Sequence, residues 1–376
     1  MDRKIKVLSV FGTRPEGIKM CPLVKEFESR DNFESIVCVT GQHKEMLDSV
    51  LDIFDVKADY NLNIMKHGQG IVDISNKVLD GVDKVIKETN PDIVLVHGDT
   101  STTLNGALAG FYNRVPVGHV EAGLRSHNIN SPFPEEANRK LTGCIASFHF
   151  APTDTNKENL NKEGIVDNVW ITGNTVIDAL LNVVDENYSF EDECLNKLDF
   201  DNKKIVLLTT HRRENWGEPM ENIFKATIDI IENNSDVEVV FPMHKNPAIR
   251  ELAHSYFDKY EGRVHLIEPL EYLDFANIMN KVYLIMTDSG GVQEEAPSLG
   301  KPVMVLRTET ERPEAVKAGT VVLAGIEQEN IFNIANNLIN NKDVYAKMSL
   351  ASNPYGNGDS SKNIADIIAR SFDNQN

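Results

Sequence analysis

Residues 94–139 read VLVHGDTSTTLNGALAGFYNRVPVGHVEAGLRSHNINSPFPEEANR. The apolar runs 92–96 and 115–120 predict two buried strands with a helix between them, and Glu135 and Glu136 open a further helix. Asp99 follows the first strand and Glu121 the second. In an open parallel sheet, ligands bind outside the carboxyl ends of the strands, which is where both carboxylates fall. Each acid also has a plainer reading. Asp99 before Thr100, Ser101 and Thr102 suits a helix N-cap. Glu135 and Glu136 suit a first helical turn, where the dipole favours acids. Three acids at the mouths of neighbouring strand–helix units shift the balance toward proton chemistry on a bound small molecule.

The alternation continues in both directions. Strands are predicted over 5–10, 36–40 and 148–151, with helices from about Pro15 and Lys44 and a third carried by Ile71, Ile74, Val78, Val82 and Val85. After an acidic, Asn-rich stretch at 185–202 the pattern restarts, with strands at 205–209, 237–242, 264–267, 283–287, 302–306 and 321–323. Alternating strands and helices give parallel, doubly wound sheets. At 376 residues the chain exceeds one core. The expected fold class is therefore α/β with two Rossmann-like domains, 1–170 and 171–360, and a last amphipathic helix within 361–376.

Composition narrows the function. A net charge of −19 argues against nucleic acid or an anionic membrane surface as partner. No apolar run approaches the length of a membrane span, and the first residues read as a strand and not a signal peptide, so a cytoplasmic protein is expected. Cys21, Cys38, Cys144 and Cys194 form no C-x-x-C pair and are expected to be buried free thiols.

The second half carries a phosphate-site candidate. In LIMTDSGGVQEEAPSLG, 284–300, a strand leads through Asp288, Ser289, Gly290 and Gly291 into a helix expected from Val292. Glycines allow close backbone approach and a helix start offers N–H groups, while Glu295 suits ribose hydroxyls. The plainer reading is a glycine turn capped by Asp288 or Ser289. Basic residues gather at other strand ends: His211, Arg212 and Arg213, His244 and Lys245, and Arg14 and Lys19. In an acidic protein such grouping suits a diphosphate. His97-x-Asp99 and His119-x-Glu121 pair metal-ligand types, but a third ligand at recognisable spacing is lacking, and so is a G-x-G-x-x-G nicotinamide fingerprint. Neither a metal nor a cofactor is expected.

GTRPEGIKM, VLVHGDTSTT, PVGHVEAGLRS, SPFPEEANR, ITGNTVIDALL, HRREN, DSGGVQEEAPSLGKPV, ERPEA and NPYGNGDSS run in order from Gly12 to Ser361. This set resembles the non-hydrolysing UDP-N-acetylglucosamine 2-epimerase family. The resemblance implies the B-type glycosyltransferase fold, with an active site in the interdomain cleft, UDP mainly on the second domain, and a last helix that crosses back to the first. It implies an acid/base set of Asp99, Glu121 and Glu135, with His211 counted as catalytic while it holds phosphate together with Ser289, Gly290 and Gly291. Arg14 and Lys19 would face the diphosphate and sugar, Arg139 would bind substrate, Glu295 would face the ribose, Leu270 and Phe275 the uracil, and Arg312 the nucleotide. Gln42, Gln69, Arg212 and His244 match positions that bind a second, activating UDP-GlcNAc in bacterial members. UDP-GlcNAc and UDP-ManNAc are the implied ligands and a homodimer the implied assembly.

The chemistry accounts for the carboxylates. The C2 hydrogen of the sugar is not adjacent to a carbonyl, so simple enolisation is closed to it. Elimination of UDP gives a 2-acetamidoglucal, and re-addition with protonation on the other face of C2 gives the epimer. That path needs a base, an acid and cationic groups for departing UDP. The product would supply ManNAc-type precursors of cell-surface polysaccharide. A B-type UDP-sugar glycosyltransferase is the alternative, and a non-catalytic nucleotide-sugar sensor a third reading. Incubation with UDP-GlcNAc alone separates the two enzymes, because a transferase without acceptor generates no C2 epimer.

Overall fold

The computed structural model describes residues 3–41, 44–66 and 68–373. The chain divides into two compact units, residues 1–182 with 355–376, and residues 183–354.

The first unit holds a sheet of seven parallel strands: β1 (Ile5–Phe11), β2 (Phe33–Val39), β3 (Tyr60–Asn61), β4 (Ile93–His97), β5 (Val117–Val120), β6 (Phe148–Ala151) and β7 (Val169–Ile171), in the order β3-β2-β1-β4-β5-β6-β7. The second holds six: β8 (Lys204–Thr209), β9 (Val237–Pro242), β10 (Val264–Ile267), β11 (Leu284–Thr287), β12 (Val303–Val305) and β13 (Val321–Leu323), in the order β10-β9-β8-β11-β12-β13. Both sheets are doubly wound, as the alternating pattern requires.

Apolar faces drive each assembly. In the first unit Leu8, Val10, Val94 and Val96 of the sheet pack with Val78, Val82, Val85 and Ile86 of the helix Ile71–Thr89. In the second, Val206, Leu208, Phe241 and Met286 pack against Ile223, Phe224 and Ile230 of the helix Glu218–Asn233. Each such side chain, fully buried, contributes about 1.5–3 kcal/mol.

Element ends differ from the sequence reading where local chemistry decides. β5 begins at Val117 and not at 115, just after Pro116, which has no N–H to give a ladder. The helix after Ser289 begins at Gly290 rather than Val292. Thr100, not Asp99, caps the helix Ser101–Tyr112, its hydroxyl accepting the Thr103 N–H. The expectation of four buried thiols is corrected: Cys21 and Cys38 are buried, but Cys194 is partly exposed and Cys144 is exposed.

The division of the chain also falls at 182 and 354, not at 170 and 360. The cause lies in the helix Thr175–Val183, whose Asp178 caps the last helix, Ser360–Asp373. The buried Asp178 carboxylate accepts the N–H groups of Ser361 at 2.7 Å and Ser360 at 3.3 Å. The last helix packs on the first, Arg14–Glu28, and Asp366 pairs with Arg30 at 2.6 Å.

Replacing Asp178 by Ala leaves two N–H groups without their acceptor. A stability loss on the order of 1–3 kcal/mol is expected, read as a lower urea midpoint at unchanged slope. An unmoved midpoint would show that the last helix is held by other means.

Candidate active site

In the first unit the loops after β1 and β4 lie side by side, because the strand order reverses between these two strands. Thr13 and Glu16 form a capping box at the start of the helix Arg14–Glu28. Glu16 is buried, and its Oε2 accepts the N–H groups of Thr13 at 2.8 Å and Gly12 at 3.0 Å. Its Oε1 accepts the Thr100 hydroxyl at 2.6 Å, which ties the two loops together. Gly12 has no room for a side chain, since a Cβ would overlap the Thr40 hydroxyl.

Asp99 stands on this platform. Its Oδ2 takes Arg139 Nη2 at 2.6 Å and Nε at 2.9 Å, and its backbone carbonyl accepts Asn138 Nδ2 at 2.8 Å. Burial pushes the Asp99 carboxyl up from its ordinary range, the nearby Arg139 guanidinium works against this, and Glu121 adds to the rise.

Glu121 follows β5 with φ of +61°, a left-handed conformation that is uncommon for residues other than glycine. Lys19 forms an ion pair with its Oε2, Asn174 Nδ2 donates to the same oxygen at 3.2 Å, and His97 Nε2 lies 3.8 Å away. His97 is buried and holds below its ordinary range, at about 4, through loss of hydration, so it is neutral near pH 7. His119, lowered to about 3 for the same reason, bonds through Nε2 to the Gly98 carbonyl at 2.7 Å and so steadies the turn into Asp99. Among the described residues no three His, Cys, Asp or Glu side chains converge as a metal site would need.

The PEE pair divides its labour. Glu136, fully buried, accepts the backbone N–H groups of Ser126 and His127 and a bond from Arg139 Nη1 at 3.1 Å. Glu135, the first residue of its helix, is half-buried and takes part in none of these bonds. Arg14 opens the first helix, half-buried at its start.

The second unit repeats the arrangement at β8 and β11. Thr209 and Thr287 face each other in register, with hydroxyl oxygens 2.6 Å apart. Beyond them lies a pocket of about 440 Å³. Thr209, Thr210 and His211 line it from β8, Pro242 to Lys245 from β9, and Ser289, Gly291, Val292 and Glu295 from β11, with Pro269, Leu270 and Phe275 completing the wall. Gly290 lies against Arg312, whose Nη1 would be 2.9 Å from a Cβ there. Arg312 Nε in turn pairs with Glu294 at 2.8 Å.

The polar lining near Ser289 and Glu295 and the apolar wall of Leu270 and Phe275 suit a nucleotide. Asp288, which the sequence offers only as a turn cap, is fully buried beneath His211 and holds the loop after β8. Its partners lie 73–78 residues earlier, and no local pattern reports them. Asn174 and His97 at Glu121 are further additions.

Of the four residues matched to a second ligand, His244 is exposed and stacks on His211, with ring centroids 6.3 Å apart. Arg212 is half-buried, and Gln69 accepts from Lys77 Nζ at 2.7 Å. Gln42 lies outside the described residues.

A family model described as UDP-N-acetylglucosamine 2-epimerase matches residues 25–369. The chain belongs to the UDP-N-acetylglucosamine 2-epimerase family. The UDP-N-acetylglucosamine 2-epimerase of Bacillus subtilis (strain 168) is 55% identical over 367 residues, 97% of this chain and 95% of that one. A crystal structure of a UDP-N-acetylglucosamine 2-epimerase is 52% identical, with a TM-score of 0.92 over 98% of this chain and 96% of that one. The Neisseria meningitidis UDP-GlcNAc 2-epimerase, solved bound to UDP-GlcNAc, is 47% identical with a TM-score of 0.83, covering 97% of this chain and 100% of that one. With these epimerases the chain shares two parallel, helix-flanked sheets, the B-type glycosyltransferase-like architecture.

Arg139 opposes the effect of burial on Asp99. In an Arg139→Gln variant desolvation acts with less opposition, so the Asp99 carboxyl moves further up. The limb of the pH–rate profile that reports Asp99 is therefore expected at higher pH than in the wild type, whether Asp99 serves as acid or as base. A limb that stays in place, or moves down, would remove Asp99 from the profile.

Proposed function

We propose that the protein interconverts UDP-GlcNAc and UDP-ManNAc by inversion at C2, through elimination and re-addition of UDP with a 2-acetamidoglucal as intermediate. The observation that carries this reading is the pair Asp99 and Glu121. They are two carboxylates at neighbouring strand ends, one raised by burial against a guanidinium, the other held by Lys19, Asn174 and a neutral histidine. Carboxylates in unlike settings take opposite proton-transfer roles. Glu135, half-buried and outside the neighbouring bond network, completes the set.

The pocket of the second unit supports the nucleotide half of the reading. Leu270 and Phe275 offer an apolar wall for uracil, Glu295 a ribose acceptor, and His211, Ser289 and the two glycines a diphosphate cradle, with Arg312 behind Gly290. Arg14, Lys19 and Arg139 serve the diphosphate and sugar. The UDP-GlcNAc bound by the Neisseria meningitidis relative supports the ligand. On the same reading Gln42, Gln69, Arg212 and His244 take a second UDP-GlcNAc, the protein works as a cytoplasmic homodimer, and the product feeds cell-surface polysaccharide.

Proton NMR of UDP-GlcNAc with the enzyme in deuterated water tests the reaction. Both epimers are expected to acquire deuterium at C2, because the proton passes through a carboxylate that exchanges with solvent. Epimerisation with full retention of the C2 hydrogen would overturn the elimination path, and absence of any epimer without an acceptor would favour a transferase.

Asp99→Asn and Glu121→Gln keep shape and remove proton transfer, a loss commonly of ~10²–10⁴-fold in turnover. UDP affinity by calorimetry should change little in both. A Glu121→Gln enzyme with wild-type turnover would withdraw its assignment.

A further inference from the structure

Asp288 spends its two oxygens unequally. Oδ2 accepts the Thr210 hydroxyl at 2.9 Å and, each at 3.0 Å, the N–H groups of His211 and Arg212 and Nδ2 of Asn215. Oδ1 receives only a longer contact from the His211 N–H, at 3.2 Å, and lies 3.3 Å from the His211 ring nitrogen Nδ1. The carboxylate is fully buried, whereas the His211 side chain is 48% exposed and lines the nucleotide pocket. The loop is thus anchored through Oδ2, and Oδ1 is left for the imidazole.

We propose that Asp288 is a positioning residue for His211: it holds the ring by its Nδ1 edge, so that Nε2 faces the diphosphate and carries the proton that departing UDP takes up. This rests on the reaction proposed above. An ionised carboxylate only accepts, so the nitrogen opposite it is N–H. With a diphosphate on the other edge, both ring nitrogens face acceptors, so each edge of the ring is placed to donate. In the elimination the C1–O bond breaks and its electron pair stays on the β-phosphate oxygen, which takes the Nε2 proton. The C2 proton passes to the carboxylate base, and the C–H electron pair becomes the C1–C2 double bond. In re-addition the phosphate oxygen returns its proton to Nε2 and re-forms the C1–O bond, while a second carboxylic acid gives a proton to the opposite face of C2, which inverts that centre. His244, stacked on His211, does not compete for this role through Nδ1, which already accepts the Asn246 N–H at 3.1 Å.

Asp288→Asn is the informative change. Its carbonyl oxygen, placed at Oδ2, keeps the loop bonds, while its amide group at Oδ1 donates to Nδ1. The ring is then neutral, with a proton on Nε2 that still reaches phosphate but is a far weaker acid. We expect UDP affinity by calorimetry within a few-fold of wild type and kcat lower on the order of 10²–10⁴-fold, the usual range for a lost acid. In a His211→Ala background the same change should add no further loss, since the two act as one unit. Nitrogen NMR of labelled histidine with UDP bound should show Nδ1 protonated in the wild type and accepting in the variant.

Wild-type kcat in Asp288→Asn, or losses that add in the double variant, would overturn the proposal. So would a wild-type His211 with unprotonated Nδ1, a measurement that needs no variant to fold. The ring spectrum is independent of turnover. A wild-type protein with the protonated ring but no epimerisation would refute the reaction and leave the pairing standing.

Discussion

A parallel sheet whose first strand lies in its interior must send its crossovers in opposite directions, and the two loops that part at the reversal leave a gap that no helix fills. This chain does so in both units, between β1 and β4 and between β8 and β11. The gap exposes backbone that needs partners, and in each unit a buried acid supplies them. Glu16 joins the turn at Gly12 to Thr100, and Asp288 joins the turn at Thr210 to Asn215. The candidate site side chains are then mounted on loops already braced from below.

Electrostatics explains why the acids behave differently. Glu16 has lost its hydration and is raised despite several donors, which suits a brace and not a proton carrier. Asp99 is raised too, but an arginine sets the extent. Glu121 faces a lysine and an imidazole that burial keeps uncharged. The acidic surface of the whole molecule is no obstacle to an anionic nucleotide, because the charges that matter are those within a few ångströms in a poorly hydrated site.

The layered α/β class and most strands were legible from sequence, since buried parallel strands read as continuous apolar runs between helical periods. β3 and β7 were not, because two or three residues at a sheet edge carry no period. That Asp99 and Glu121 stand just past strand ends was legible. Local pattern did not separate Glu135 from Glu136, because that turns on the fold of residues 126–127; only the family resemblance singled out Glu135. Asp288 sat in plain view within a glycine-rich turn, but its meaning depends on a strand far upstream. Local pattern reports periods and caps, while long-range hydrogen bonding reports roles.

The return of the last helix to the first unit bears on how the chain is made. Arg30 and Asp366 are 336 residues apart in sequence, so the first unit stays unfinished until the segment that carries Asp366 has been synthesised. Residues 183–354 form a compact unit of their own and are complete before that helix emerges. During this interval the apolar face that receives Ile364 and Ile368 is uncovered. The closing contact has a high sequence separation, which slows its formation, and growing chains pass through a state that invites aggregation or exchange of the last helix between copies.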